Sequence, residues 1–405
     1  MTDKERVIIV GGGPVGVVGA VALAQKNIPV TLVEAHDFPP KDPRAATLHP
    51  PTLQMLEQLG MGDEIIANGL HAPEFQFRDR RSGESVAIFD LTLLRDKTPH
   101  PYCIQYEQWK TAQLGYTMLK NYGHVDVRMG TSAVGLSQSE EGVTLITETR
   151  DGVREEHSGS YLIGCDGGRS FVRKSLDIDF VGFTYPERFL VMAMQHDFGA
   201  DGRYVFRNYV MDPVEWCAVF KVPGEDSKGL WRTLFPTKET ESDEQVLSAE
   251  SVDRRLGGLE PSLGFADTEH RNLYMVHQRV AETFNKGRCF LAGDAAHVNN
   301  PLGGLGLNSG IHDVMNITDK IHQVLNGEIP VSELDRYDRQ RRSLAHEFIQ
   351  AQTIANKKRL EATDEDVRQK NMDELRQMAA NPEKARAWLL RTSLLESVAK
   401  SETIE

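Results

Sequence analysis

The stretch Val7-Ile8-Ile9-Val10-Gly11-Gly12-Gly13-Pro14-Val15-Gly16 decides the fold of this chain. Its first four residues are apolar and β-branched, which predicts a short strand buried in a parallel sheet. Gly11 permits a tight turn after the strand, and Gly13 lets a ligand approach the backbone. Gly16 lets the following helix pack closely against the strand. The stretch therefore predicts a strand–turn–helix unit at the start of an α/β domain.

The unit continues into a second strand that ends on an acidic residue. A helix is predicted over residues 15–24, and Val30-Thr31-Leu32-Val33 forms the strand that leads to Glu34. Amides at the N-terminus of the helix favour a pyrophosphate, and the Glu34 carboxylate can accept hydrogen bonds from ribose hydroxyls. The same carboxylate would repel the 2′-phosphate of NADP. The residues expected to contact a dinucleotide are Gly11, Gly13, Pro14, Val15, Gly16, Glu34 and Ala35.

Two further glycine-centred motifs follow in a fixed order. The first is Cys165-Asp166-Gly167-Gly168-Arg169-Ser170, with Arg173 behind it. The second begins with Gly293-Asp294-Ala295-Ala296-His297 and continues through Pro301 to Asn308. Taken alone, each is also compatible with an ordinary turn or a helix cap. Together with the first stretch, they indicate that the dinucleotide is FAD.

Composition limits the classes of partner. The chain has 405 residues and a net charge of -13, from 59 acidic and 46 basic residues, which argues against nucleic acid and anionic membranes as partners. The four cysteines, Cys103, Cys165, Cys217 and Cys289, fit no metal spacing, so no metal is expected and a reducing cytoplasm is the simplest location. Residues 7–24 carry no charge, but their glycines and Pro14 serve the phosphate turn, so no targeting segment or membrane span is predicted.

The order of strands and helices predicts an α/β protein with an interrupted domain plan. A three-layer, Rossmann-like FAD-binding domain is expected from residues 1–71, 102–180 and 276–330. Residues 72–101 and 181–275 contain short alternating runs, which predict a mostly antiparallel sheet that binds the substrate. Residues 331–405 are expected to be helical, with one long amphipathic helix from Glu333 to Lys357.

The three motifs resemble those of the group A flavoprotein monooxygenases, which have the para-hydroxybenzoate hydroxylase fold, and the match spans about residues 5 to 325. The resemblance implies an enzyme that hydroxylates a phenol-like or hydroxypyridine-type aromatic in catabolism. NAD(P)H and O2 would be consumed, and oxygen would be transferred through a flavin C4a-hydroperoxide. The resemblance also places Arg44 near the pyrophosphate, Asp294 at the ribityl chain and residues 301–308 at the flavin ring. The further cofactor contacts that it implies are Gln105, Asp166, Arg169, Pro301, Gly304, Gly306, Leu307 and Asn308.

No strong motif marks the group that removes the proton from the substrate. His49 is the first candidate, because its segment is expected to run past the flavin ring, and Pro301 is expected at the same reacting centre. For each candidate histidine or tyrosine, a purely structural role stays open. The other candidates are His196, Tyr209, Tyr102 and His297. Arg207 and Arg232 could pair with a carboxylate on the substrate, and the aromatic neighbourhood of Trp216, Phe220, Trp231 and Phe235 suits a flat ring.

Three alternative functions stay open at this point. A flavin halogenase shares the fold but needs a Trp-x-Trp-x-Ile-Pro segment, which Gly229-Leu230-Trp231-Arg232 does not match. The others are a flavin reductase and a non-catalytic FAD-binding redox partner. The chain has one complete dinucleotide unit, so NAD(P)H is expected to bind on the surface near Arg44 and Arg169. Little positive charge follows Glu34, which favours NADH over NADPH. The oligomeric state stays open, with a homodimer as one alternative.

Overall fold

The computed structural model describes residues 5–38, 41, 45–225 and 228–405. Within these ranges, no helix is both long enough and apolar enough to cross a membrane, and no three His, Cys, Asp or Glu side chains are grouped to hold a metal. The strands are β1 (Val7–Val10), β2 (Val30–Val33), β3 (Thr47–Leu48), β4 (Leu70–Ala72), β5 (Glu74–Asp79), β6 (Ser85–Asp90), β7 (Cys103–Gln105), β8 (Val125–Arg128), β9 (Thr131–Gln138), β10 (Val143–Thr149), β11 (Arg154–Gly159), β12 (Tyr161–Gly164), β13 (Phe180–Met194), β14 (Arg207–Met211), β15 (Cys217–Val222), β16 (Leu230–Pro236), β17 (Thr268–Ala281), β18 (Asn285–Lys286), β19 (Cys289–Leu291) and β20 (His297–Val298). The α-helices are α1 (Pro14–Gln25), α2 (Pro50–Gln58), α3 (Gly62–Asn68), α4 (Gln108–Leu119), α5 (Phe171–Ser175), α6 (Asp243–Leu247), α7 (Ala249–Gly257), α8 (Gly306–Leu325), α9 (Asp335–Leu344), α10 (Ala351–Leu360), α11 (Glu365–Ala380), α12 (Pro382–Thr392) and α13 (Leu395–Thr403).

The first sheet carries all three glycine motifs at the ends of its strands. Its six strands lie in the order β18-β19-β12-β1-β2-β8, and all neighbours except β18 and β19 are parallel. Every residue of β1 is buried, as its uniformly apolar sequence predicts for a central parallel strand. Helix α1 packs between α8 and α4, where Gly19 faces Val314 and Gly115 faces Val17 too closely for any side chain. The α/β class that the sequence predicts is confirmed.

The second large sheet has eight strands in the order β20-β17-β13-β16-β15-β14-β5-β6. Its neighbours are antiparallel except β14 and β5, and helices α6 and α7 cover one face. The predicted domain boundary at residue 276 falls inside β17, which continues to Ala281 and pairs there with β20. Because this long strand runs through the eight-stranded sheet to the third motif, the two parts share a strand instead of meeting at a loop.

The C-terminal helices pack back onto the molecule. The predicted single helix from Glu333 to Lys357 is wrong in detail, because a 3₁₀ turn precedes α9 and a π-helical segment, Ala345–Gln350, joins α9 to α10. At this segment Gln350 donates to the Val298 carbonyl, and Gln278 donates to Thr353. The irregular turn therefore brings polar groups of the helix against β17 and β20. Helices α11 and α12 cover the other face of the eight-stranded sheet with Met372, Leu375, Ala385 and Leu389.

Candidate active site

In the first glycine turn, main-chain atoms leave no room for a side chain at Gly11 and Gly16, whereas there is space beside Gly13. Gly11 has φ +101°, and a side chain there would strike the Cys165 carbonyl. A side chain at Gly16 would strike the Gly11 carbonyl. A methyl group at Gly13, by contrast, would meet no atom of the described residues within 4 Å. The turn thus leaves space at the N-terminus of α1, where the helix dipole favours an anion.

Glu34 is held in place at the end of β2. Its carboxylate accepts hydrogen bonds from the Gly12 amide at 2.6 Å and from the His36 amide at 2.8 Å. Tyr116 donates to the Gly12 carbonyl at 2.9 Å, and burial together with Glu34 raises the pKa of this phenol. Carboxylate oxygens have additional lone pairs, so Glu34 can accept ribose hydroxyls as well as these amides. Ala35 is exposed beside it.

The second motif is a capped turn that is tied to the third. The Asp166 carboxylate accepts from the Ser170 hydroxyl at 2.6 Å and from the Val172 amide at 3.0 Å, at the start of α5. Burial raises the pKa of Asp166, although these hydrogen bonds oppose the shift. Arg173 donates to the Gly168 and Ala295 carbonyls, each at 2.9 Å, and so joins the two motifs. Arg169 is exposed at the edge of the turn.

A fully buried ion network supports the third motif. Asp313 accepts from the Gly293 amide at 3.1 Å, lies 2.8 Å from His297 Nε2, and receives Arg341 Nε at 2.7 Å. Burial alone would raise the pKa of Asp313, but His297 and Arg341 lower it to about 2. Asp294 lies exposed on the turn that this network fixes. His297, a catalytic candidate from the sequence, is therefore part of the support of the turn.

The side-chain amides of Asn308 and Gln105 differ in how many hydrogen bonds they form. Asn308 accepts from the His49 amide at 2.8 Å and donates to the Thr47 carbonyl at 2.7 Å and the Gly304 carbonyl at 2.6 Å. These three hydrogen bonds join the His49 segment to the loop before α8. Gln105 is completely buried and accepts from Thr47 at 2.9 Å, but its Nε2 has no partner in the described part of the chain. An unpaired buried donor of this kind fits a ligand acceptor.

The loop before α8 depends on two glycines in left-handed conformations. Gly303 has φ +109° and Gly304 has φ +68°, and a side chain at Gly304 would come within 2.9 Å of Thr47. Pro301 is half-buried and accepts from the Gly304 amide at 3.0 Å. Gly306 and Leu307 then begin α8. Of the predicted cofactor contacts, Arg44 lies outside the described residues.

An aromatic cavity lies between the His49 segment, the eight-stranded sheet and the C-terminal helices. Trp388 of α12 packs on Phe75 and Phe89 with ring centroids 5.6 and 4.1 Å apart, and Phe77 stacks on Tyr209 at 5.3 Å. The cavity is partly open, and its free volume is about 20 Å³, enough for roughly one water molecule. An aromatic ring can therefore enter only if side chains of the wall move. The lining residues are His49, Phe75, Phe77, Leu91, Arg207, Tyr209, Gly303, Gln352, Asn356, Trp388, Thr392 and Ser393.

His49 lines this cavity, but both of its ring nitrogens are engaged. Nε2 lies 2.9 Å from the Gly303 carbonyl, which can only accept, so the ring proton is on Nε2. Nδ1 is then an acceptor, and the Cys103 thiol lies 3.4 Å from it. Burial and the nearby Arg207 charge lower the pKa of His49 to about 3. This arrangement does not support the predicted role of His49 as the proton acceptor.

Arg207 brings an uncompensated positive charge into the cavity. Its side chain is 3% exposed, donates to Cys103 Sγ at 3.0 Å, hydrogen-bonds with Tyr209 and lies over the Phe75 ring. Among the described residues, its Nε has no hydrogen-bond partner and no carboxylate forms an ion pair with it. A buried cation without an anion is costly, which marks this position as a place where a ligand anion would be favourable.

Several other candidates lie away from the cavity. His196 packs on Phe198, which belongs to the cluster on the α6–α7 face of the eight-stranded sheet. Trp231 and Phe235 lie in that same cluster, so the aromatic neighbourhood predicted around them is wrong: alternate residues of β16 point to opposite faces. Tyr102 lies 3.0 Å from His100 Nδ1 and does not line the cavity. Trp216, Phe220 and Arg232 also do not line it.

Sequence reasoning missed most of the aromatic wall. Phe75 and Phe77 alternate along β5, and this spacing was a usable signal that both rings share one face. Trp388, Asn356 and Gln352 lie on amphipathic C-terminal helices, where nothing in the sequence distinguishes a cavity residue from a core residue. Asp313 was detectable as a carboxylate one helical turn from Ser309 and Ile317, on the buried side of α8.

Comparison with known proteins identifies the class of this molecule. The model of a family described as FAD binding domain matches residues 4–352. Para-nitrophenol 4-monooxygenase of Pseudomonas sp. (strain WBC-3) is 33% identical over 358 residues, covering 88% of this chain and 87% of the relative. 6-Hydroxy-3-succinoylpyridine 3-monooxygenase of Pseudomonas putida (strain DSM 28022 / S16) is 32% identical, covering 89% and 90%. The crystal structure of p-nitrophenol 4-monooxygenase from Pseudomonas putida DLL-E4 superposes with a TM-score of 0.91 at 29% identity and covers 98% of each chain.

These similarities confirm the resemblance that the motifs indicate. They support a monooxygenase over the halogenase, the reductase and the non-catalytic redox partner. The unpaired Gln105 donor and the open space beside Gly13 also fit a bound cofactor. The chain therefore belongs to the FAD binding domain family, and it is an FAD-dependent aromatic monooxygenase of the group A flavin hydroxylases.

Proposed function

We propose that this enzyme hydroxylates a phenol or hydroxypyridine that binds as its oxyanion against Arg207. The observation that carries the proposal is the buried Arg207 guanidinium, which has an unpaired Nε in an aromatic cavity. The names of two relatives support the substrate class, since one acts on a nitrophenol and the other on a hydroxylated pyridine. The overall reaction would consume one substrate, O2, NAD(P)H and a proton, and yield the hydroxylated ring, water and NAD(P)⁺.

The three motifs are proposed to hold FAD. The amides at the start of α1 would face the pyrophosphate beside Gly13, and Glu34 would accept from the adenosine ribose. Asp294 would bind the ribityl chain, and Gln105 Nε2 would donate to the cofactor. Pro301, Gly304, Gly306 and Leu307 would border the flavin ring, and Asp166 and Arg169 would complete the site. When bound, FAD supplies the reduction of O2 and the delivery of one oxygen atom to the ring.

Arg207 would favour ionisation of the substrate hydroxyl, which is the role of a general base in other active sites. An ionised hydroxyl makes the ring electron-rich, which is what an electrophilic oxygen transfer requires. A charge-assisted hydrogen bond from a buried guanidinium contributes about 1.5–3 kcal/mol. Since 1.36 kcal/mol corresponds to one pKa unit, Arg207 would lower the pKa of the bound phenol by about one to two units. Tyr209 lies beside Arg207 and would orient the same oxygen.

His49 would act as a positioning residue. A group with a pKa of about 3 takes no proton from a phenol near neutral pH. Its Nε2–H holds the Gly303 carbonyl, and its Nδ1 holds the Cys103 thiol next to Arg207. His49 would therefore fix the loop beside the flavin and the sulfur beside the guanidinium.

The proposal is tested with 4-nitrophenol, whose oxyanion absorbs visible light while the neutral phenol does not. The FAD-loaded enzyme is titrated with this ligand at several pH values under anaerobic conditions. We expect the bound ligand to ionise one to two pH units below free 4-nitrophenol in the wild type, and near the free value in Arg207→Met. Arg207→Lys should recover part of the shift, because it keeps the charge but loses the planar donors.

The matched control is Arg78→Met. Arg78 is also a buried arginine of the eight-stranded sheet, but it points to the opposite face, where it lies over Tyr204. The pKa of the bound ligand should stay at the wild-type value in this variant. An unchanged ligand pKa in Arg207→Met, with the ligand still bound in the cavity, would remove Arg207 from the mechanism.

We infer that the coenzyme is NADH and that it binds on the surface near Arg169. The support is the acid at Glu34 and the single dinucleotide unit of the sequence. Anaerobic stopped-flow reduction with NADH and NADPH, each with and without 4-nitrophenol, tests this directly. We expect faster reduction with NADH, and a further large acceleration by the phenol, because the small cavity must open to admit a ring. Equal reduction rates with and without the phenol would contradict substrate gating.

We also infer a cytoplasmic enzyme, which is compatible with four free cysteines. Light scattering of the purified enzyme would test whether it forms a homodimer.

A further inference from the structure

A chain of buried hydrogen bonds links the loop before α8 to the substrate cavity. The His49 Nε2–H donates to the Gly303 carbonyl at 2.9 Å, and Cys103 Sγ lies 3.4 Å from His49 Nδ1. Arg207 Nη1 donates to the same sulfur at 3.0 Å. Cys103 is 0% exposed and does not line the cavity, so it can act on a substrate only through His49 and Arg207.

The two ends of the chain fix the direction of each hydrogen bond. A carbonyl oxygen can only accept, which places the ring proton of His49 on Nε2 and leaves Nδ1 as an acceptor. The Cys103 thiol must therefore keep its proton in order to donate to Nδ1. At the other end a guanidinium can only donate, so the sulfur accepts from Arg207. Cys103 is thus a neutral thiol that donates to one neighbour and accepts from the other.

Burial favours the same charge state. It raises the pKa of the Cys103 thiol, although the Arg207 charge acts in the opposite direction. Burial and Arg207 together lower the pKa of His49 to about 3, so the imidazole adds no charge near neutral pH. Among the described residues, the ionisable groups that interact with Arg207 are Cys103, His49 and Tyr209, and none of them is a carboxylate. The positive charge of Arg207 is therefore not cancelled by its neighbours.

The sulfur is fixed by a different sheet from the one that carries Arg207. Cys103 begins β7, the central strand of the three-stranded sheet β3-β7-β4, and pairs there with Ala72. Arg207 begins β14 in the eight-stranded sheet. The hydrogen bond between them therefore joins the two sheets and holds the end of a long, flexible side chain from a paired strand.

A thiol differs from the other groups that could meet a buried guanidinium. A carboxylate at position 103 would form an ion pair with Arg207 and cancel the charge that a substrate oxyanion needs. An apolar side chain would leave the Nη1 hydrogen without an acceptor and the guanidinium free to turn. A protonated sulfur is a weak acceptor without charge, so it binds one N–H and leaves the charge of Arg207 intact.

We propose that Cys103 is a positioning residue, which aims the Arg207 guanidinium at the substrate oxyanion by a hydrogen bond and leaves its positive charge uncancelled. The proposal rests on the oxyanion site proposed for Arg207. It adds that the residue at position 103 sets how strongly this site favours the ionised substrate over the neutral one.

The first experiment compares Cys103→Ser with Cys103→Ala, which differ by one hydroxyl group. The pKa of 4-nitrophenol bound to the FAD-loaded enzyme is measured for each variant under anaerobic conditions. Cys103→Ser can still donate and accept, so the ligand should ionise close to its wild-type pKa. Cys103→Ala should raise this pKa towards that of free 4-nitrophenol, because the phenolate loses affinity several-fold while the neutral phenol does not. A merely structural role would weaken both forms alike and leave the pKa of the bound ligand unchanged.

Infrared spectroscopy tests the charge of the sulfur itself. The S–H stretching band lies where few other protein groups absorb, and the difference between the wild type and Cys103→Ser isolates the band of Cys103. We expect this band in the FAD-loaded enzyme without substrate. A thiolate paired with a protonated His49 would show no S–H band, and its negative charge would cancel that of Arg207. A missing band would therefore overturn the proposal.

Cys217→Ser is the matched control. Cys217 is also a buried cysteine, but it lies in β15 within the cluster on the α6–α7 face of the eight-stranded sheet, so the ligand pKa should equal that of the wild type. Arg207→Met separates the two proposals. If it leaves the ligand pKa unchanged, the oxyanion site itself is wrong. If it raises the ligand pKa but Cys103→Ala does not, or if Cys103→Ser behaves like Arg207→Met, only the role of Cys103 is wrong.

Discussion

The flavin motifs and the substrate cavity are built from different kinds of contact. At the first motif, Gly11 and Gly16 touch other main-chain atoms so closely that no side chain fits. In the cavity, the walls are side chains from separate strands and helices, such as Phe75, Arg207 and Trp388. Main-chain contacts leave no freedom for substitution, whereas side-chain walls can change size and keep the fold. We therefore expect substitutions of these glycines to abolish FAD binding. Substitutions in the cavity wall should change which substrates fit and leave FAD binding intact.

The largest effect is expected for Gly16→Ala. The new methyl group would overlap the Gly11 carbonyl, and a rigid backbone atom cannot move aside as a flexible side chain can. Overpacking usually costs about 1–3 kcal/mol and more where the backbone must shift, so we expect loss of bound FAD and a large drop in thermal stability. Flavin absorbance per chain and the melting temperature of the purified protein measure both effects.

Gly13→Ala is the matched control in the same turn. Its methyl group would meet no protein atom within 4 Å, so the apoprotein should melt at the wild-type temperature. It would nevertheless occupy the space proposed for the pyrophosphate, so FAD affinity should fall. If Gly13→Ala binds FAD as tightly as the wild type, the pyrophosphate does not approach the chain there.

The second effect is expected at the support of the third motif. Asp313→Asn removes the anion that balances Arg341 in a fully buried setting. Breaking a buried ion pair in this way costs about 3–5 kcal/mol. Urea unfolding should show this loss, and FAD should dissociate more easily because the Gly293 amide, His297 and Arg341 then have one acceptor oxygen in place of two. The neighbouring exposed carboxylate gives the control, since Asp319→Asn should cost less than about 1 kcal/mol.

What the sequence could reveal follows from this difference in construction. Gly11, Gly16 and Glu34 lie in one short stretch, and each has a local reason for its residue type, so a motif can be recognised without knowing the fold. The resemblance assigns Asn308 and Gln105 to the cofactor, but it does not predict their hydrogen bonds to the His49 amide and to Thr47. These partners lie far away along the chain, so such contacts follow only from the fold.

The cavity could not be assembled in the same way. Phe75, Arg207 and Trp388 come from three distant segments, and an apolar residue on an amphipathic helix looks the same whether it lines a cavity or fills a core. The placement of Trp231 on the wrong face shows how a shift of one residue along a strand changes which side a ring occupies. His49 lines the cavity, but its engaged nitrogens and lowered pKa depend on Cys103, Gly303 and Arg207, which no local pattern around His49 reveals.

The third effect is a loss of unfolding free energy at acid pH, caused by the buried imidazoles of His49 and His312. Burial, with Arg207 for His49 and Arg341 for His312, lowers both pKa values from 6.5 to about 3. In the unfolded chain both would protonate near pH 6.5, so the unfolded state binds more protons and native stability falls as the pH drops below 6.5. The slope approaches about 1.4 kcal/mol per pH unit for each histidine only below the unfolded pKa, so the pair should cost about 3 kcal/mol between pH 7.5 and 5.5.

Urea unfolding at pH 7.5 and 5.5 checks this slope. His312→Gln should reduce the difference in unfolding free energy between the two pH values by about 1.4 kcal/mol, whatever its effect on absolute stability. His270→Gln, which changes an exposed histidine, should leave the difference unchanged. A wild-type protein that is equally stable at both pH values would contradict the buried neutral state of the imidazoles.

The smallest effect on stability is expected at the outer wall of the cavity, with Trp388→Phe. Trp388 is half-buried and packs on Phe75 and Phe89, so a smaller ring should cost about 1 kcal/mol and leave FAD binding intact. The enlarged cavity should accept a bulky phenol better, and one additional methylene of room is worth roughly tenfold in discrimination. The measurement is kcat/KM for 4-tert-butylphenol divided by that for 4-nitrophenol. Trp109→Phe, in a half-buried tryptophan on α4 outside the cavity, should leave this ratio unchanged. An equal change in both variants would mean that Trp388 does not bound the substrate, and the side-chain wall would then end at Phe75 and Phe77.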